Sequence, residues 1–400
     1  MLDDKDEKKE FYGRLEEIFN TADDAFWNDR SIVFGSIGER RGKLLAQLKR
    51  SSKSWERPGQ CMYKGCTDSS IRRSHSIHQA GSLERIAENR HVLTPGFSHG
   101  TMAMELQGIN LASTFPGFCE RHELLFSEFE GSGVISSPRH IVLQAFRTLC
   151  REIAQKRQGI TDLQGTLEQY RKAREEYYFS AVKKAGIGPT AEKLSVKGDG
   201  RETHIESMLT GANDDLLELE GDLYDQLFSV IRGGSNEPSL GAFSLSYEVP
   251  VSLSGLGVLT YENEGTRYRA LCLIGILPLV GQTIAFIGAA NKHSVALEDY
   301  RSGMQFGFGA LNAMESWMIH GSDHWFIRPS AWNAITPTRQ EKALDLLKSD
   351  EFNIGTLLEF SILDDMRRSI ISYINDHIDQ TPNRDAAIQA VSQESKKLTV

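Results

Sequence analysis

The chain has 400 residues, of which 40% are hydrophobic and 25% charged, which is typical of a folded globular protein with roughly two or three domains. This composition excludes collagen, a coiled-coil rod and a wholly disordered chain. The formal net charge of −9 repels nucleic acid and acidic membranes unless the basic residues are clustered. The first residues resemble neither a signal peptide nor a transit peptide, so we expect a cytoplasmic protein that does not bind membranes.

Charge is clustered near the start of the chain. Residues 1–39 carry eleven acidic and five basic side chains, whereas residues 40–73 carry ten basic and two acidic ones, a net charge of +8. Such a segment creates a local field that attracts phosphates, although a solvated basic helix is the alternative interpretation. The side chains that we expect to contact nucleic acid are Arg40, Arg41, Lys49, Arg50, Arg72 and Arg73.

Two close pairs of metal-ligating residues follow. Four residues separate Cys61 from Cys66, and two residues separate Cys119 from His122. Spacings this short allow one loop to present two ligands to a single ion, and four sulfur and nitrogen ligands match the tetrahedral preference of zinc. We therefore predict that these four side chains bind a structural Zn²⁺ ion. Three unrelated buried thiols and a surface histidine are the alternative.

The segment between the pairs contains Ser74-His75-Ser76-Ile77-His78. A cysteine pair, a histidine in a strand setting and a second cysteine-containing pair at the start of a helix resemble the zinc-bearing HNH, or His-Me finger, endonucleases. The resemblance covers residues 57–130, under a fifth of the chain. It implies a ββα-metal-like module with a zinc knuckle, and it implies that His75 is the general base for hydrolysis of nucleic acid. DNA is the favoured partner, although the sequence does not distinguish DNA from RNA. The resemblance also implies Mg²⁺ or Mn²⁺ as the catalytic cation.

Several alternatives stay open for this segment. Ser74 stands where the family often has an acidic residue, and the second pair ends in His122, which could serve the catalytic cation instead of zinc. His78 and His91 compete with His75 for the role of base. A non-catalytic zinc-dependent regulator that binds nucleic acid or protein is the alternative function. A metallohydrolase acting on a small molecule is a third.

Two further motifs are weak. Gly35–Leu44 resembles a phosphate-binding loop, but its glycine interval is wrong and Leu44 stands where Ser or Thr must hold magnesium. His320 and His324 share one helical face and could bind a second metal. Gly321 interrupts that helix, and the neighbouring tryptophans favour a packed core.

The remaining sequence alternates between helical and strand periodicity. Residues 137–232 show apolar spacings of three and four, interrupted by glycines, which predicts a helical hairpin that favours a homo-oligomer or a regulatory protein partner. From residue 242 to 289 the period is two, which predicts a small antiparallel sheet. The apolar run 271–290 is long enough for a membrane span, but Pro278 and Gly281 divide it into two strands.

These patterns predict an α+β protein with a zinc-knuckle N-terminal module, a central helical hairpin and a small antiparallel sheet with C-terminal helices. The expected domains are an acidic then basic helical segment (1–56), the zinc-knuckle module (57–135), the helical hairpin (136–235), an α+β domain (236–381) and a frayed polar tail (382–400).

Overall fold

A computed structural model of the chain describes residues 13–14, 17, 55, 57–98, 101–130, 133–184, 200–305, 307–349, 352–380 and 383–399. The chain divides into two compact units, one made of Met1–Trp55 with Gln155–Leu216 and the other of Glu56–Ala154 with Leu217–Val400. The second unit contains the predicted cysteine and histidine ligands.

An antiparallel sheet organises the second unit. The strands are β1 (Ser74–His75), β2 (His91–Ser98), β3 (Thr101–Gly108), β4 (Thr114–Phe115), β5 (Ser239–Leu245), β6 (Val251–Asn263), β7 (Thr266–Leu279), β8 (Gln282–Ala289) and β9 (Trp325–Ile327). Seven of these strands form one sheet in the order β3-β2-β9-β6-β7-β8-β5, and β1 pairs separately with β4. The prediction of a mixed α and β fold with an antiparallel sheet is therefore confirmed.

The apolar run 271–290 forms the β7–β8 hairpin. Leu273 pairs with Gly288 and Leu279 with Gln282, and Gly281 at the turn has φ +71°, a conformation that favours glycine. Both strands are buried along their apolar length because helices cover the sheet. Among the described residues no helix is long and apolar enough to span a bilayer.

Helices connect and cover the strands. They are α1 (Glu84–Ile86), α2 (Glu120–Glu123), α3 (Ser127–Glu130), α4 (Pro138–Lys184), α5 (Gly200–Glu218), α6 (Tyr224–Ile231), α7 (Ser294–Ser302), α8 (Gly307–Ser316), α9 (Pro329–Asn333), α10 (Pro337–Leu346), α11 (Asp364–Asp376) and α12 (Arg384–Lys396). The main core joins apolar residues of the sheet to those of α8 and the turn after it. Its members include Leu253, Ile274, Ile276, Ile287, Met314, Trp317 and Trp325.

The first unit contains two long helical segments joined by ion pairs. Lys156 of α4 pairs with Asp215 of α5 at 3.0 Å, and Arg171 of α4 pairs with Glu202 of α5 at 2.6 Å. The partners run in opposite directions along the two helices, so this part of α4 and α5 forms an antiparallel hairpin.

The structure differs from the sequence expectation in two places. Strands β2 and β3, from the segment 57–135 that was expected to be a separate module, belong to the same sheet as the strands of 236–381. The expected frayed tail contains helix α12, which begins at an Asn383 side chain that accepts a hydrogen bond from the Ala386 amide. Its Glu394 is buried against Arg367 of α11, a contact that no local pattern shows.

Candidate functional site

Cys61 and Cys66 lie in one tight hairpin, residues 59–70. The Cys61 amide donates to the Asp68 carbonyl at 2.9 Å, and the Ser70 amide donates to the Gly59 carbonyl at 2.7 Å. The Cys66 amide turns back to the Tyr63 carbonyl at 3.0 Å, and Gly65 inside this turn has φ +82°. The turn therefore directs both thiols to one side of the hairpin, and it requires a residue at position 65 that tolerates the left-handed conformation.

Cys119 and His122 are presented by the start of helix α2. The amides of His122 and Glu123 donate to the Cys119 carbonyl at 3.0 and 2.9 Å, which fixes the first helical turn. The Met62 amide donates to the Gly117 carbonyl and the Ile71 amide to the Phe118 carbonyl, at 2.9 and 2.7 Å. Main-chain hydrogen bonds thus bring two segments together that are about fifty residues apart in sequence.

The four side chains form one compact cluster. Their ligand atoms all lie within 4.8 Å of one another. The His122 Nδ1 atom is 3.4 Å from Cys61 Sγ and 3.3 Å from Cys119 Sγ, and the Sγ atoms of Cys66 and Cys119 are 3.9 Å apart. Tetrahedral zinc, with bonds of about 2.3 Å to sulfur and 2.0 Å to nitrogen, separates its ligands by roughly 3.5–3.8 Å. The cluster can therefore hold a metal ion such as zinc.

Aromatic side chains of the hairpin and of α6 pack around the cluster. The Tyr63 ring stacks on the His122 ring with centroids 4.0 Å apart, and the edge of Tyr63 meets Phe228. The Tyr224 hydroxyl donates to the Met62 carbonyl at 2.6 Å and accepts from the Lys64 amide at 2.9 Å. The hairpin 59–70 and His122 are therefore also held by side chains outside the cluster.

The thiols differ in electrostatic environment. Burial raises the pKa of the Cys61 thiol to about 11. Burial acts in the same direction on Cys119, but hydrogen bonds from the His122 amide and the neighbouring thiols outweigh it and lower the pKa of this thiol. Cys66 also accepts a contact from the Arg121 guanidinium at 3.7 Å, and this guanidinium pairs with Asp68. The cluster therefore contains groups that favour negatively charged sulfur.

His75 lies on β1, opposite Thr114 of β4. Its ring is half-buried, and its Nδ1 atom is 3.1 Å from the Ala112 carbonyl oxygen. Because a carbonyl can only accept, Nδ1 carries the proton of the neutral ring and Nε2 is left as the acceptor. Burial, and then the positive charge of Arg147, lower the pKa of His75, so the ring is neutral and able to take a proton near neutral pH.

Arg147 of α4 organises the acidic side chains near His75. Its guanidinium is 1% exposed, pairs with both Glu123 and Glu130, and lies 4.1 Å from the centroid of the Phe126 ring. Glu123 also accepts a hydrogen bond from Ser74 Oγ at 2.9 Å. This contact links the residue that follows the candidate ligand His122 to the residue that precedes His75.

The predicted nucleic-acid contacts are only partly within the described residues. Arg72 and Arg73 are exposed directly before β1, and within the described part of the chain neither has an ion-pair partner. The structure gives no description of Arg40, Arg41, Lys49 and Arg50, nor of the loop 35–44, because all lie outside the described residues.

The other candidate residues have different surroundings. His78 is half-buried and burial lowers its pKa, whereas His91 is exposed, with Nδ1 2.7 Å from the Asn89 carbonyl. His320 is buried in the core turn after α8, and His324 contacts Ser76 Oγ. Among the described residues, the three cysteines and His122 are the one set whose geometry suits a metal.

Comparisons of this chain with protein-family models, with curated proteins and with solved structures found no match. The resemblance to HNH endonucleases therefore stays a proposal that depends on this chain's own residues.

Sequence reasoning missed Arg147, although a signal for it exists. Arg147 shares a helical face with Leu143, Phe146 and Cys150, which are all fully buried. A single charge inside an apolar stripe indicates a buried ion pair, because an unpaired charge there would be very costly. The identity of its partners, Glu123 and Glu130, cannot be obtained from helical spacing.

Proposed function

We propose that this protein is a metal-dependent endonuclease that hydrolyses nucleic-acid phosphodiester bonds with His75 as general base. In this proposal Cys61, Cys66, Cys119 and His122 form a zinc knuckle that is structural. The observation that carries the proposal is the 3.1 Å contact of His75 Nδ1 with the Ala112 carbonyl, which assigns the proton to Nδ1 and the acceptor role to Nε2.

The cluster suits a structural rather than a catalytic zinc ion. A catalytic zinc keeps one position open for water, whereas four protein ligands close the tetrahedron. The three cysteines are buried and His122 is covered by the Tyr63 ring, so little room is left for substrate at the ion. Zinc would fix the start of α2, and Glu123 would pass this restraint to the β1 strand through Ser74.

The chemistry assigned to His75 is one proton transfer coupled to substitution at phosphorus. His75 Nε2 accepts a proton from water, the water oxygen bonds to phosphorus, and the bond from phosphorus to the leaving oxygen breaks. The leaving oxygen then takes a proton from solvent. Mg²⁺ or Mn²⁺, when bound, stabilises negative charge on the phosphate oxygens, and Mg²⁺ commonly binds through one or two carboxylates together with substrate phosphate.

The first test compares wild type with H75A on supercoiled plasmid in the presence of Mg²⁺ or Mn²⁺. Loss of a general base lowers a rate by about 10²- to 10⁴-fold, so we expect H75A to be nearly inactive. The matched control is H204A, since His204 is an exposed histidine of α5. Equal cleavage by wild type and H75A would remove His75 from the mechanism.

The exposed Arg72 and Arg73 predict how binding depends on salt. Each phosphate contact contributes roughly 0.9 to the slope of log affinity against log salt concentration. The double variant R72A/R73A should therefore lower this slope by about 2 if both guanidinium groups contact phosphate. The charge-matched control is R267A/R269A, which changes two exposed arginines of the β6–β7 hairpin. Fluorescence anisotropy with a labelled duplex over a salt series measures the slope, and an unchanged slope would exclude this surface.

A second function is favoured by the Arg147 ion pairs. Because Arg147 occupies Glu123 and Glu130, the carboxylates nearest β1 are already neutralised and are poorly placed to attract a divalent cation. On this interpretation the protein is a zinc-dependent regulator that binds nucleic acid without cutting it. The plasmid assay separates the two functions, because a binding protein retards the plasmid but leaves it intact with every cation.

A further inference from the structure

The β1 strand presents His75 and its neighbours to opposite sides. Side chains alternate along a strand, so Ser74 and Ser76 face one way and His75 the other. Both serines are fully buried, whereas His75 is half-buried. β1 has only two paired residues, Ser74 with Phe115 and His75 with Thr114, so pairing with β4 alone fixes the strand weakly.

Ser76 is held by three different parts of the unit. Its amide donates to the Ser113 carbonyl at 2.8 Å, and its carbonyl accepts from Gln144 Nε2 of α4, also at 2.8 Å. Its Oγ atom is 3.0 Å from Nε2 of His324, a residue that follows it by 248 positions.

These contacts belong to a closed polar network of five residues, Ser76, Gln144, Thr148, Ser254 and His324. Gln144 Nε2 donates to Thr148 Oγ1 at 3.3 Å, and Thr148 Oγ1 is 2.8 Å from Ser254 Oγ of β6. The Ser254 amide donates to the His324 carbonyl at 3.3 Å, and the contact of His324 Nε2 with Ser76 Oγ closes the network. The network therefore joins β1 to α4 and to the large sheet.

His324 is held by contacts of its own main chain and imidazole ring. It directly precedes β9, its amide donates to Ser322 Oγ at 3.0 Å, and its ring meets Phe326 edge-on with centroids 5.1 Å apart. Burial keeps the pKa of His324 well below its usual range. A neutral imidazole can share one hydrogen bond with a serine hydroxyl without leaving a charge inside the unit.

We infer that His324 is a positioning residue for His75, which it holds in place through the hydroxyl of Ser76. This inference rests on the proposed function for its catalytic consequence, but the position of His75 is a property of the protein itself. Each hydrogen bond of a buried polar network restrains the groups that it joins, and breaking one contact leaves a buried group unpaired. Loss of the His324 contact leaves Ser76 held only by its main-chain hydrogen bonds to Ser113 and Gln144, so the adjacent His75 is held less firmly and shifts.

The effect on catalysis would appear in kcat. A displacement of about 1 Å in a catalytic group can lower a rate 10²-fold, so H324L should lower kcat by about 10- to 100-fold. KM for plasmid should stay unchanged, because His324 is half-buried and is not one of the proposed phosphate contacts, Arg72 and Arg73, which are exposed. The variant H324Q, whose amide nitrogen can replace Nε2, should recover a large part of kcat.

The deciding experiment uses full-length protein labelled with ¹³C at the histidine Cε1 position. The His75 signal is assigned by its absence from H75A, and its position is compared in wild type, S76A, H324L and H324Q. We expect the signal to move in S76A and H324L, to return toward wild type in H324Q, and to stay in place in S302A, which removes an exposed hydroxyl of α7. The double variant S76A/H324L should be no worse in kcat than either single variant, since both remove the same contact.

Each outcome decides a separate statement. An unmoved His75 signal in folded S76A would overturn the inference whatever the activity. Absence of cleavage by wild type would refute the proposed function, while the His75 signal would still decide whether His324 positions this ring. If H324L does not fold, S76A still breaks the contact with a smaller loss of packing, and H324Q is the variant that should keep it.

Discussion

Replacing Cys61 by serine is expected to remove bound zinc and to unfold the hairpin 59–70 together with the start of α2. Structural zinc contributes about 10–16 kcal/mol of binding free energy in small zinc-dependent modules, and this energy is available only with a complete ligand set. The two segments around the cluster are joined mainly by a few main-chain hydrogen bonds and the aromatic contacts of Tyr63 and Tyr224. Without a bound ion, these contacts alone would hold the two segments together only weakly.

Zinc content per chain and hydrogen–deuterium exchange measure the two parts of this prediction. Exchange should rise at residues 59–70 and 117–123 in C61S, and zinc should fall from one ion per chain to none. The control is C272A, since Cys272 is fully buried in β7 within the main core, away from the ligand set. A C61S protein that keeps one zinc ion with unchanged exchange would show that the four side chains do not form a zinc site.

The same site predicts a dependence on pH. Zinc binds thiolates, and burial raises the pKa of the Cys61 thiol to about 11, so binding must displace a proton that this thiol holds at neutral pH. Protons compete more strongly as the pH falls, and zinc retention against a chelator should therefore weaken toward acid. If the ligands were already ionised, acid would protonate only the chelator, and zinc retention would instead strengthen as the pH falls.

The candidate ligands could be predicted because their pattern is local. Cys61 with Cys66, and Cys119 with His122, each fall within one turn or one hairpin, so their spacing in sequence largely determines their spacing in space. The joining of the two pairs is not local. It depends on the Met62–Gly117 and Ile71–Phe118 hydrogen bonds, which any pair of extended segments could make and no residue type encodes.

Strand pairing, likewise, could be predicted only where the two strands are close in sequence. The β7–β8 hairpin could be predicted, since an apolar run interrupted by Pro278 and Gly281 forms a local turn. The place of β2 and β9 between β3 and β6 could not, because β9 has three residues and pairs with segments more than 70 and 200 positions away. The contact of His324 with Ser76 depends on that distant pairing.

A buried ion cluster fastens the last helix to the core, and Arg367 is at its centre. Arg367 of α11 is fully buried and pairs with Glu315 of α8 and Glu394 of α12. Glu315 Oε1 also accepts from the amides of Ile362 and Leu363, both at 2.8 Å. Arg367 thus pairs with two carboxylates from different helices, neither of which has access to much water, and Lys397 pairs with Glu394 as well at 3.4 Å.

The variant R367M should lower the free energy of unfolding by about 3–5 kcal/mol, the usual cost of removing one partner of a buried ion pair. Methionine fills much of the volume but leaves Glu315 without its cation and Glu394 paired only with Lys397. The double variant R367M/E315Q should recover part of this loss, because the uncompensated charge of Glu315 is then gone. Denaturant unfolding measures the difference, and exchange at residues 384–396 shows whether α12 is released first.

The neighbouring Arg368 provides the matched control. It also pairs with a carboxylate, Asp364, but at 3.9 Å and with 62% of its side chain exposed. Exposed pairs of this kind contribute about 0–1 kcal/mol, so R368M should unfold close to wild type. Equal losses in R367M and R368M would mean that burial does not set the strength of this contact, and that α12 is held instead by its apolar residues.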